Sequence, residues 1–135
     1  LAAAAPVIAE IAKAHQYLVS SAVSFEMDAA ARALTVDPTP MLEVYRARRE
    51  RVLAALDAMD LDVVEPAGAF YAFPSIKRYG LTSEDFCIKA IKEANVALVP
   101  GDCFGTEGHI RLSYCVSDKD LDEGLSRLST FISTL

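Results

Sequence analysis

The chain of 135 residues has no tryptophan, two histidines and three cysteines. Each scarcity removes a class of function. His15 and His109 stand far apart and show no metal-ligand spacing, so no metal site is expected. Cys87, Cys103 and Cys115 form no CxxC pair, and their odd number leaves at least one thiol without an intrachain partner. That usage suits a reducing, cytoplasmic compartment better than a disulfide scaffold. No apolar run approaches the roughly 20 residues of a membrane span, and the start lacks the basic region of a signal peptide. Positive charge is scarce as well. The 13 lysines and arginines face 19 acids, and the formal charge of −6 argues against a nucleic-acid partner. The nearest basic patch, Arg46-Ala47-Arg48-Arg49-Glu50-Arg51, lies in a predicted helix among acids, as a solvated helix face would. Low-complexity stretches and internal repeats are absent.

What remains is an apolar, foldable chain. Hydrophobic residues make up 53% of it, enough for a core and for some apolar surface besides. The length suits one domain of ordinary size. The opening Leu1-Ala2-Ala3-Ala4-Ala5-Pro6 has no initiator methionine and reads as the interior of a longer protein, so the chain is expected to be a fragment.

Periodicity and capping residues set the expected elements. Pro6 to Leu18 reads as a helix with proline in its first turn. Ser20-Ser21-Ala22-Val23-Ser24 breaks it, and Ser24 is placed to cap a second helix from Phe25 to about Leu34. A connector over Thr35 to Pro40 precedes a third helix, opened by Thr39-Pro40 and running to about Asp60, with Leu42, Tyr45, Val52, Leu56 and Met59 near helical spacing. Two strands, Asp62 to Glu65 and Ala69 to Phe73, should form a hairpin around Pro66-Ala67-Gly68, with Phe70 and Tyr71 in the core. Thr82 caps a helix whose buried stripe is Phe86, Ala90, Ile91 and Ala94. The apolar strand Val96 to Val99 leads into the Pro100–Gly108 loop. Ser117 caps a last helix with Leu121, Leu125, Leu128 and Ile132 at helical spacing. The order predicts an α+β fold: a small, mostly antiparallel sheet with helices packed on one face, preceded by two helices.

Between that loop and the last helix lies His109-Ile110-Arg111-Leu112-Ser113-Tyr114. Ile110, Leu112 and Tyr114 alternate with Arg111 and Ser113, the two-residue period of a strand with one face in a core. Arg111 therefore projects from the other face. Its guanidinium is a fixed fork of donors that suits a carboxylate or a phosphate. A solvated sheet face would show the same pattern, so the strand alone leaves both readings open.

The surrounding motifs favour the first. Pro66-Ala67-Gly68-Ala69-Phe70-Tyr71, Val96-Ala97-Leu98-Val99-Pro100-Gly101 with Phe104-Gly105, and Ile110-Arg111-Leu112-Ser113-Tyr114 with its leucine-spaced helix occur in one order and spacing. Together they resemble the C-terminal part of a fold-type I, pyridoxal-phosphate-dependent aminotransferase of the aspartate aminotransferase superfamily. The resemblance implies two parts: residues 1–38, a helical segment bridging to a large domain, and residues 39–135, the C-terminal small domain. It implies pyridoxal 5'-phosphate in the full-length enzyme, amino-acid and 2-oxo-acid substrates, and a homodimer. At Arg111 it implies the residue that forks onto the substrate α-carboxylate. Phe104 and Gly105 correspond to a loop bordering the substrate cleft, and Ser20 and Ser21 to a segment that approaches the partner subunit's active site.

The chain also departs from the family pattern. Lys13, Lys77, Lys89, Lys92 and Lys119 are its only lysines, and none has the sequence context of the cofactor-binding lysine. All five read as surface residues, so no catalytic residue and no covalently bound cofactor is expected in this chain. Within the fold, a C–S lyase or the aminotransferase-like effector domain of a regulator would show the same arginine. Outside it, the alternative is a free-standing α+β dimerisation module.

Overall fold

A computed structural model describes residues 2–135. The chain divides between Pro38 and Thr39 into two compact units. The first contains α1 (Ala5–Leu18) and α2 (Ser24–Ala33). Pro6 sits in the first turn of α1, where its missing N–H costs no hydrogen bond. Ser24 is not the cap of α2. Val23 takes that position, no side-chain cap bond forms, and Ser24 is the first helical residue. Neither helix has a buried residue.

The second unit runs α3 (Thr39–Ala58), β1 (Tyr71–Ala72), α4 (Ser83–Ala94), β2 (Val99–Pro100), β3 (Ile110–Ser113) and α5 (Asp118–Ile132), with short 3-10 turns at Lys77–Tyr79 and Gly101–Phe104. The sheet order is β1-β3-β2, and both pairings are antiparallel. Tyr71 faces Ser113 and Ala72 faces Leu112. On the other side Val99 faces Arg111 and Pro100 faces Ile110.

The helices start and stop where local chemistry allows. The Thr82 hydroxyl accepts from the Asp85 N–H at 3.0 Å and the Ser117 hydroxyl from the Asp120 N–H at 3.1 Å. Each satisfies one of the donors a helix start leaves open, which contributes about 1 kcal/mol. Asn95, at φ +54°, ends α4 and lets the Val96 N–H turn back to the Ala90 carbonyl. That bond takes Val96 out of the expected strand, and only Val99 and Pro100 pair. In α4 the buried stripe is Phe86, Cys87 and Ala90 rather than one through Ile91, which is half exposed.

The expected hairpin does not form. Asp60 and Ala69 adopt positive φ on either side of Pro66, and Asp62 to Glu65 is an irregular segment. Its carbonyl at Asp62 accepts one bond, from the Ser75 N–H, instead of a ladder. The partner of β1 is β3, forty residues further along.

Val52 and Leu56 of α3, Phe86 and Ala90 of α4 and Leu121, Leu125, Leu128 and Ile132 of α5 enclose one core with Ala72, Ile110 and Leu112 of the sheet. Full burial of each leucine or isoleucine contributes roughly 1.5–3 kcal/mol. Helix α3 is further tied to α5 by Arg48 and Arg51, which reach Asp118 and Asp122. The core covers one sheet face and leaves the other to the side chains described next.

Candidate functional site

Burial alternates along β3: Ile110 and Leu112 are buried, Arg111 is half-buried and Ser113 is exposed. The antiparallel register puts Tyr71 opposite Ser113, so Tyr71 shares the outer face with Ser113 and Arg111. Phe73 and His109 continue that face at the two-residue period. Their rings stack 5.3 Å apart at 8°. Tyr71 was expected in the core, as was Phe70, which is 37% exposed. The pairing, not the local pattern, decides the face a two-residue strand presents.

Arg111 lies between two aromatic rings. Its Cζ is 4.4 Å from the Tyr71 ring centroid and 4.5 Å from that of Phe104. Both distances fall within the range of cation–π attraction. Tyr71 packs on Phe70 at 4.6 Å, and Phe104 meets Phe73 edge-on at 6.1 Å, so both flanking rings are themselves supported. Two rings thus lie against the guanidinium, while no hydrogen bond or ion pair of its N–H groups is found among the described residues. The other arginines of this unit differ. Arg46, Arg48, Arg49, Arg51, Arg78 and Arg127 each reach a carboxylate. Arg48 also lies over a ring, that of Tyr45 at 5.7 Å, but its donors are taken by Asp118; Arg111 alone among them is flanked by rings with its donors uncommitted, as a planar, bidentate anion site requires.

Phe104 reaches this position through a closed loop. The Gly101 N–H donates to the His109 carbonyl at 2.8 Å, and the Thr106 N–H to the Gly101 carbonyl at 3.0 Å. A Cβ on Gly101 would collide with the carbonyl oxygens of Thr106 and His109. Gly105, at φ +75°, ends the 3-10 turn directly after Phe104. Phe104 is 48% exposed and Gly105 lies on the loop surface.

The structure thus brings Arg111, Phe104 and Gly105 to one region. Ser20 and Ser21 belong to the first unit, exposed in the bend between α1 and α2. Tyr71, Phe73 and His109 were not expected there. Extending the Arg111–Ser113 face one step back at period two finds His109, whereas Tyr71 and Phe73 lie on β1 and reach the site only through its pairing with β3. Lys13, Lys77, Lys89, Lys92 and Lys119 are all exposed, and Lys13 is paired with Glu10 at 2.7 Å. Among the described residues no group of His, Cys, Asp and Glu could hold a metal ion. No described helix is long and apolar enough to cross a membrane.

Comparison with known proteins gives this geometry its context. The family model "Aminotransferase class I and II" matches residues 2–128. A protein of Bacillus subtilis described as a probable N-acetyl-LL-diaminopimelate aminotransferase is 49% identical over 127 residues, covering 90% of this chain and 32% of that protein. The aspartate aminotransferase of Pyrococcus abyssi is 38% identical over 135 residues, 95% of this chain and 35% of its own length. Among solved structures, the aspartate aminotransferase of Thermotoga maritima superposes with a TM-score of 0.81 at 32% identity, covering 97% of this chain and 34% of that one. The chain therefore spans about a third of the length of the relatives it matches.

Proposed function

The chain belongs to the class I and II aminotransferase family, and on that premise we propose that it forms the substrate-carboxylate side of an amino-acid aminotransferase. Residues 39–135 would be the small domain, and residues 1–38 the helical link to the rest of the parent protein. The observation that carries the reading is the guanidinium of Arg111, clamped between Tyr71 and Phe104 with its donors uncommitted. Two parallel charged hydrogen bonds from that edge would fix the plane of an α-carboxylate and so orient the Cα–H bond of an amino acid or the carbonyl of a 2-oxo acid.

Family membership implies pyridoxal 5'-phosphate in the full-length enzyme, where it supplies the electron sink for chemistry at the α-carbon. This chain's residues do not fit that group. All five lysines are exposed, with none enclosed as an imine-forming lysine needs to be. The reading therefore gives this chain the substrate's carboxylate and leaves the cofactor to the rest of the parent, with no activity in the chain alone. Phe104 and Gly105 would wall the cleft. Ser20 and Ser21 would face the active site of a partner subunit in a cytoplasmic homodimer.

The test is Arg111→Ala in the full-length enzyme. Losing a bidentate charged contact should weaken amino-acid binding by about 2–5 kcal/mol. The absorbance of the cofactor's internal imine should stay as in the wild type. Unchanged amino-acid kinetics would refute the role.

A further inference from the structure

Phe104, one of the two rings against Arg111, sits on a loop whose returning limb is held by the start of α4. From Gly101 to Glu107, the loop bonds to itself and, through the Gly101 N–H and the Glu107 carbonyl, to His109 at its own exit; one side chain of the loop reaches a separate element. The Glu107 carboxylate accepts from the backbone N–H of Ser83 at 2.6 Å. Ser83 is the first residue of α4 and is fully buried. Its hydroxyl accepts from the N–H groups of Gly108 at 2.9 Å and His109 at 3.2 Å. The start of α4 therefore holds the returning limb of the loop at three successive residues. Glu107 gains twice, because a carboxylate at a helix start also meets the positive end of the helix dipole.

The geometry points to Glu107, with Ser83 as its anchor, as a positioning residue that holds Phe104 over the guanidinium of Arg111. The inference deepens the proposed carboxylate role of Arg111 and rests on it for its functional meaning. Glu107 touches neither Arg111 nor Phe104. It acts three residues away, on a loop whose inner bonds, Gly105 N–H to the Asp102 carbonyl and Thr106 N–H to the Gly101 carbonyl, carry the restraint from residue 107 to residue 104. With the tether cut, the loop keeps its own turn, and the half-exposed Phe104 keeps its ring contacts with Phe73 and Arg111 but loses the restraint on the returning limb of its loop.

The experiment uses the intact parent protein and phenylglyoxal, a reagent that attacks the guanidinium. Modification of each arginine is followed by peptide mapping in wild type, Glu107→Ala and Glu107→Gln, alongside amide exchange over residues 101–107. Glu107→Ala should raise the modification rate at Arg111 by about three- to tenfold, the equivalent of one hydrogen bond to a charged group or somewhat less. Arg48 and Arg127, on distant ion pairs, should react as before. Glu107→Gln keeps an acceptor oxygen and should restore most of the protection. An unchanged rate at Arg111 in Glu107→Ala would overturn the inference, as would a rise shared by all three arginines, which marks general loosening. The assay needs no substrate. Failure of the carboxylate role, read from the kinetics of Arg111→Ala, and failure of the tether are therefore separate results.

Discussion

Replacing Tyr71 with leucine removes the less exposed face of the arginine clamp while keeping apolar bulk on the sheet. The Tyr71 ring lies 4.4 Å from the Arg111 Cζ, is half-buried and is backed by Phe70 at 4.6 Å. A cation–π contact is worth about 0.5–1 kcal/mol when exposed and about 2 when desolvated, so Tyr71 belongs near the upper value. Phe104, at 4.5 Å but 48% exposed, belongs near the lower one. At about 1.4 kcal/mol per tenfold, Tyr71→Leu should weaken amino-acid binding by about ten- to thirtyfold and Phe104→Leu by about two- to fivefold. The assay is the apparent affinity of the full-length enzyme for its amino-acid substrate, in a cycle with Arg111→Gln. In the Arg111→Gln background the Tyr71 effect should largely vanish, because the ring acts only through the guanidinium. Equal losses in both backgrounds would refute the reasoning, and so would a Phe104 effect larger than that of Tyr71.

Two further outcomes concern titrating groups. The Arg48 hydrogen bond and charge hold Asp118 below the usual carboxylate range, so the ion pair between α3 and α5 stabilises the fold fully above that range. The contribution is lost as the pH falls through the lowered value. The difference in melting temperature between wild type and Asp118→Asn should therefore shrink on acidification below the ordinary carboxylate range, and a difference that stays constant would contradict it. Burial, with a smaller effect of the Asp102 charge, pushes the Cys87 thiol up to about 11. At about pH 8 almost no thiolate forms there, so iodoacetamide should label Cys87 only on unfolding, while the exposed Cys103 and Cys115 react in the native protein. Native labelling of Cys87 at a comparable rate would count against the burial.

The fold was most legible where the signal is local. Ser117 and the leucine spacing of α5 specify a helix within fifteen residues, and the structure has it from Asp118 to Ile132. The alternation through Arg111 gave the strand and the outward direction of the guanidinium for the same reason. Pairing between distant segments was not legible. Asp62 to Glu65 carries the residue types of a strand, but Ser75 and not a neighbouring strand meets it. Tyr71 has the local pattern of a core residue but lies on the outer face, because its face depends on Ser113, forty-two residues away. The clamp itself was hidden. It needs a ring from a turn that Gly101 and Gly105 permit, and an anchor at Ser83, which in the sequence is only the residue after a cap.

A crystal structure of the full-length enzyme with a non-reacting amino-acid analogue tests the central claim most directly. The α-carboxylate should lie in the plane of the Arg111 guanidinium, with two N–H donors at about 2.7–2.9 Å and the rings of Tyr71 and Phe104 on either side. A carboxylate held by other donors, with Arg111 turned to solvent or paired to a protein acid, would contradict it.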